Sequence, residues 1–302
     1  MGYASAMASA PFEFARENYL LAPHTLYKVG GSAALALLPT TREEVVAAYQ
    51  WMRRQPGPKL VLGGGSNVLI SDSGFPGTVL FSGCLDGIEA LGENRYRVEG
   101  GVVLDRLVRE VLIANNFEGT GGLTGIPGSV GGAIFMNAGT VNGTICQLME
   151  SVDVLEAGDP EHVAMDESLY GYRGQRFCAP GGLILGGIFR FREAEKDQQA
   201  IYDHYVERRR EKQPQGNSCG SVFKNPEDNH AGQLIESCGL KGTRRGGAAI
   251  SDLHANFIVN EGGATCADIL ELIELCKRTV FERHGIQLEE EVKIIQGGPE
   301  SE

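Results

Sequence analysis

Val45, Val46, Tyr49 and Met52 follow Thr41 and Glu44 at three-four spacing, which predicts a capping box and then an amphipathic helix ending near Gly57 and Pro58. Downstream, "KLVLGGGSNVLI" reads as strand, glycine loop, strand, and "GTVLFSG" as a further strand. A second helix is expected from Leu104 through "LDRLVREVLIANN". Beyond it Gly119, Gly122, Gly125, Gly128 and Gly131 recur at every third position, which predicts a long glycine loop running into the apolar "AIFMNAG". "SVDVLEA" and "LILGGIFRF" have strand character, and the charged stretch from Glu193 to Lys212 has helical character. The clearest helix lies late in the chain. Thr265 and Asp268 would cap it, Ile269, Leu272, Ile273, Cys276 and Val280 would form its buried stripe, and Gly285 would follow its end. "IQLEEEVKII" then reads as a strand. Strands and helices mix without a regular βαβ alternation, so the expected class is α+β rather than a doubly wound sheet.

Composition narrows the function. A chain of 302 residues is long enough for more than one core. Its formal charge of −12 argues against nucleic-acid binding, because phosphates demand a basic surface, so any anionic ligand must meet local positive charge. "MGYASAMASAPFEF" lacks the basic region and apolar core of a signal peptide, and no stretch is apolar enough to span a membrane, so a cytoplasmic protein is expected. Seven cysteines without a CxxC pair fit reduced thiols better than a disulfide framework or a zinc site, and no metal site is expected.

The 42 glycines are about twice the average usage and gather in loops. A backbone without Cβ atoms can turn successive N–H groups toward an anion. "GGGSNVL" lacks the Lys-Ser/Thr ending of a Walker loop, and no G-x-G-x-x-G opens a helix after a strand. The glycines alone therefore leave two readings open, a dinucleotide held by two glycine loops or a pair of structural turns.

"TLYKVGG", "LGGGSNVL", "TGIPGSVGGAIFMNAG", "YRGQRF", "GSVFKNP" and "EEVKII" occur in this order from Thr25 to Ile295, and together they resemble the motifs of the UDP-N-acetylenolpyruvoylglucosamine reductases. The resemblance implies a two-subdomain FAD-binding domain of the vanillyl-alcohol-oxidase type plus a smaller C-terminal α+β substrate domain. On that pattern residues 1–82 would form the first flavin subdomain, with strand 287–296 a candidate to return to it. Residues 83–200 would form the second, and 201–298 the substrate domain. Two departures stand out: "NAGTVNG" replaces the "NAGAYG" of many relatives, and the short interval from Arg173 to Ser221 resembles the subclass without a tyrosine-bearing loop.

The implied reaction is the NADPH-dependent, FAD-mediated reduction of the enolpyruvyl ether of UDP-N-acetylglucosamine enolpyruvate to UDP-N-acetylmuramate, in peptidoglycan precursor synthesis. Hydride arrival at the terminal methylene drives negative charge onto the carboxylate, so a cation, a hydrogen-bond donor and a carbon acid are needed. By motif match these fall on Arg173, Glu291 and Ser221. Lys212 and Asn225 match substrate-binding positions. Non-covalent FAD contacts match Gly63, Gly64, Gly65, Ser66 and Asn67 on one side. On the other they match Gly125, Ile126, Gly128, Ser129, Gly131, Gly132 and Ala133. A monomer is expected. Two alternatives are weighed: an FAD oxidase of the same fold, many of which attach flavin to a histidine that residues 55–80 lack, and a non-catalytic flavin- or nucleotide-sugar-binding regulator.

Overall fold

Local signals are converted into elements most directly at the helix Arg42–Arg54, where the Thr41 hydroxyl accepts a hydrogen bond from the Glu44 N–H at 3.2 Å. The Glu44 carboxylate reaches back to the Thr40 N–H, one residue before the cap. The computed structural model describes residues 10–156 and 158–296. The first nine residues, and residues 297 and 298 of the expected substrate domain with the acidic tail that follows, lie outside the described residues.

The chain divides into two compact units, each built from separate stretches: residues up to 17, 35–64 and 77–208 in the first, and 18–34, 65–76 and 209 onward in the second. In the first unit, Glu161–Ala164, Met149–Leu155, Leu183–Arg190, Arg95–Glu99 and Ile88–Gly92 form a five-stranded antiparallel sheet in that order. Val98, Val152, Val154 and Phe189 bury one face of it against Leu107, Leu112 and Ile134. Lys59–Leu62 pairs in parallel with the later part of Phe75–Phe81. The helix Arg42–Arg54 buries Val45, Ala48, Tyr49 and Met52 in a second cluster with Leu37, Leu80 and Leu185.

The second unit is organised by the helix Cys266–His284. Its capping box joins Thr265 and Asp268, and Gly285 takes the left-handed conformation (φ 68°) that ends it. Ile269, Leu272, Ile273, Cys276 and Val280 are all buried, against Val222, Phe223, Ile250 and Ile258. A three-stranded antiparallel sheet runs Arg244–Arg245, Ala248–Ile250, Ile258–Asn260, and Lys293–Ile295 pairs in parallel with Val68–Ile70.

Two expectations about local structure are corrected. The glycine-rich stretch from 119 to 132 is not one loop, because it contains the short helices Thr120–Leu123 and Val130–Phe135. Ser129 caps the second by accepting from the Gly132 N–H at 3.4 Å. A Cβ on Gly122 would lie 2.7 Å from the Gly143 carbonyl oxygen, so absent side chains let the first turn pack closely. "IQLEEEVKII" is strand only over Lys293–Ile295, with Glu290 bridged to Phe223.

Candidate active site

In the second unit Ser221 leads directly into a short backbone ladder. The Glu291 N–H donates to the Val222 carbonyl at 2.7 Å, and the Lys224 N–H donates to the Glu289 carbonyl at 2.9 Å. The three consecutive glutamates are thereby told apart. Glu289 pairs with Lys224 and Glu290 with Lys277 at 2.8 Å, and the carboxylate of Glu290 raises the pKa of the Lys277 ammonium. Glu291 is fixed through its main chain: its N–H binds Val222, and its carbonyl accepts from Asn67 Nδ2 at 3.0 Å. Asn67 also takes the Lys293 N–H on its own carbonyl at 2.9 Å. The structure thus brings together Ser221, Glu291 and Asn67, from three of the quoted motifs.

The other expected substrate residues sit on the edges of this unit. Asn225 follows the ladder, and its Oδ1 accepts from the Ala231 N–H at 3.1 Å, the first residue of the helix Ala231–Ser237. Lys212 is exposed at the last position of the helix Gln198–Lys212. Arg244 and Arg245 are tied to Glu261 and Glu271 in surface ion pairs. Cys219, two residues before Ser221, is buried, its thiol pushed up to about 12 by burial, and its Sγ meets the Val68 carbonyl at 3.4 Å. A neutral, enclosed thiol of this kind is a packing group rather than a nucleophile.

Arg173 belongs to the first unit, in the two-residue connection between Tyr170–Gly171 and Gly174–Gln175. Its backbone is left-handed (φ 54°), a conformation that costs a side-chain-bearing residue about 1–2 kcal/mol. Its Nη1 donates to the Gly139 carbonyl at 3.1 Å, and the guanidinium carbon Cζ lies 5.2 Å from the centre of the Tyr172 ring. Asn137 braces the same turn. Its buried side chain donates from Nδ2 to the Gly171 carbonyl at 2.8 Å and accepts the Cys146 N–H on Oδ1 at 3.3 Å. The "NAG" of the second glycine motif therefore supports the arginine, a role that nothing in its local sequence announces.

The first glycine motif is explained in part by the chain itself. A Cβ on Gly63 would lie 2.5 Å from Ser129 Oγ, and one on Gly64 would lie 2.7 Å from the Gly128 Cα. Gly65 is left-handed (φ 59°), and a Cβ there would run into the His24 carbonyl oxygen. All three positions thus exclude side chains for packing reasons. Room for an anion remains. Gly64, Gly125 and Gly132 are exposed, and a Cβ on Gly132 would touch only Ser129 Oγ, at 3.5 Å. The N–H groups of Ser66 and Asn67 in one unit, and of Gly128 and Ser129 in the other, have no acceptor among the described residues. Within each unit, unmatched amides beside side-chain-free backbone suit a phosphate group, so the residues present fit FAD. No group of three or more metal-ligating side chains, and no helix long and apolar enough to cross a membrane, is found among the described residues.

Residues 33–163 match the FAD binding domain, and residues 212–295 match the UDP-N-acetylenolpyruvoylglucosamine reductase C-terminal domain. A UDP-N-acetylenolpyruvoylglucosamine reductase of Chloroherpeton thalassium is 41% identical over 287 residues, covering 91% of each chain. One of Geobacter metallireducens is 39% identical over 97% of each. The crystal structure of the UDP-N-acetylenolpyruvylglucosamine reductase from Thermus caldophilus superposes with a TM-score of 0.77 at 38% identity, covering 93% of this chain and all of that one. The fold class is the one implied by the motifs, an α+β FAD-binding domain followed by a smaller α+β domain. The chain belongs to the UDP-N-acetylenolpyruvoylglucosamine reductase family and is an FAD-dependent oxidoreductase.

Proposed function

We propose that the protein reduces the enolpyruvyl ether of UDP-N-acetylglucosamine enolpyruvate to UDP-N-acetylmuramate, with NADPH as hydride donor, in peptidoglycan precursor synthesis. FAD, when bound, supplies the carrier that takes hydride from NADPH and passes it to the terminal methylene. Backbone at Gly63, Gly64, Gly65, Ser66 and Asn67, and from Gly125 to Ala133, would hold it without a covalent bond. The observation that carries this reading is the Val222–Glu291 hydrogen bond, which sets the main chain of Glu291 beside the residue that follows Ser221.

In this reading Arg173 binds the substrate carboxylate, where negative charge grows as hydride arrives, and a guanidinium stays charged at any working pH. Glu291 carries a proton and donates it as a hydrogen bond to the same developing charge. Ser221 delivers its hydroxyl proton to the carbon next to the carboxylate. One hydride and one proton add across the double bond, and NADPH leaves as NADP+. Lys212 and Asn225 bind the diphosphate and polar groups of the nucleotide sugar. The protein would act as a cytoplasmic monomer, without nucleic acid or membrane.

The test is NADPH oxidation under anaerobic conditions, with and without the enolpyruvyl substrate, on protein whose flavin spectrum has been recorded. Sustained turnover only with substrate is expected. A flavin that NADPH bleaches and the substrate never reoxidises would overturn the assignment.

A further inference from the structure

Asn256 lies between the strands Ala248–Ile250 and Ile258–Asn260 and is 4% exposed. A buried carboxamide must satisfy both of its ends. Here both go to a single residue. The Phe223 N–H donates to Asn256 Oδ1 at 2.9 Å, and Asn256 Nδ2 donates to the Phe223 carbonyl at 2.9 Å. One residue earlier, the Val222 N–H donates to the Asn256 main-chain carbonyl at 2.8 Å. The carboxamide thus takes the place of a neighbouring strand residue along one edge of Val222 and Phe223. The other edge carries Glu291, whose N–H donates to the Val222 carbonyl.

The asparagine is itself held. Its N–H donates to His254 Nδ1 at 3.2 Å, and the His254 N–H donates to Ser251 Oγ at 3.3 Å. Burial lowers the pKa of the His254 ring, which keeps Nδ1 available as an acceptor. Val222 and Phe223 are each 1% exposed, so water cannot replace a lost partner without opening the core.

We infer that Asn256 is a positioning residue for the reaction: by clamping Val222 and Phe223 it fixes Ser221 at the end of the ladder and Glu291 across it. The inference rests on the proposed roles of those two residues. No local pattern marks Asn256, because "HANFIVN" reads as a turn entering an apolar strand.

Asn256→Asp keeps an acceptor for the Phe223 N–H but sets a carboxylate oxygen against the Phe223 carbonyl. Asn256→Ala removes both bonds. Ile258→Val, a buried neighbour on the following strand, controls for general loss of stability. Each flavin-loaded protein is mixed first with NADPH and then, once bleached, with UDP-N-acetylglucosamine enolpyruvate. For both Asn256 variants bleaching should stay within about twofold of wild type while reoxidation at saturating substrate slows about 10- to 100-fold, the effect of a misplaced reacting group. Substrate affinity, read from flavin absorbance, should move less than about threefold, since the lost bonds do not touch the ligand. Hydrogen exchange at the Phe223 amide should speed up in Asn256→Ala and stay slow in Ile258→Val.

Reoxidation at the wild-type rate in a folded Asn256 variant would overturn the inference. So would an equal slowing of both half-reactions that Ile258→Val reproduces at matched melting temperature. If Asn256→Ala does not fold, Asn256→Asp decides. Wild-type protein that the substrate fails to reoxidise would instead sink the proposed function, and the positioning role with it.

Discussion

Ser221 and Glu291 sit on a buried ladder, whereas Arg173 sits at the tip of a two-residue connection, and the two arrangements solve different problems. The ladder is held by main-chain hydrogen bonds and by the buried Asn256 carboxamide, and the packed residues are Val222, Phe223, Leu288 and Val292. Moving such a segment would break several buried hydrogen bonds at once, which suits the proton-donor role proposed for Ser221. Arg173 is instead held by a carbonyl, an aromatic face and a left-handed backbone that Asn137 braces. A long guanidinium tolerates small displacements and still grips a carboxylate. Strain is therefore stored at Arg173, and packing beside Ser221.

The largest expected effect is at the ladder. Ser221→Ala should leave flavin bleaching by NADPH unchanged and slow reoxidation by substrate about 10²- to 10⁴-fold, the span of general acid catalysis. Undiminished reoxidation would remove Ser221 from the chemistry. Arg173→Lys keeps the charge but loses the planar fork and the Gly139 bond, and should slow the same step about 10²-fold. A loss confined to the Michaelis constant would mean that the cation binds ground state and transition state alike.

A smaller effect isolates the strain. Arg173→Gly and Arg173→Ala both remove the guanidinium, but only alanine keeps a Cβ at φ 54°. The glycine variant should be the more stable by about 1 kcal/mol in denaturant titrations. Equal stability would show that the turn is relaxed and would weaken the contrast.

The smallest effect is common to both regions. Burial pushes the thiols of Cys219, before Ser221, and Cys146, hydrogen-bonded to Asn137, up to about 12 from 9.0. Below 9.0 the thiols are protonated in folded and unfolded chains alike, so their full contribution is present. Above it the unfolded chain ionises first, and stability should fall up to about 12, on the order of 1 kcal/mol per thiol for each unit. Chemical denaturation across that window checks the sign, and serine at either position should flatten the slope.

Some of this was readable from local pattern. The helix Cys266–His284 could be read from cap, stripe and terminal glycine, because each of these signals acts within a few residues. The motifs also identified the family. The stretch from 119 to 132 read differently from its structure, since glycine lowers helix propensity and only the Ser129 cap and the approach of Gly143 make short helices there. Asn137 and Asn256 were invisible, because an asparagine's role depends on which distant carbonyl it meets.

By itself, the sequence determined the periodic elements, the glycine-rich backbone, the acidic balance and the kinds of side chain available for reduction of an enol ether. Those follow from short-range sterics, capping and composition, which one chain displays without folding. The tertiary structure alone decided that Glu289 pairs with Lys224 and Glu290 with Lys277, why three glycines precede Ser66, and that Asn67 meets Glu291. These outcomes depend on segments far apart in the chain arriving at one place, and burial makes each unmatched hydrogen bond costly enough to fix where they meet.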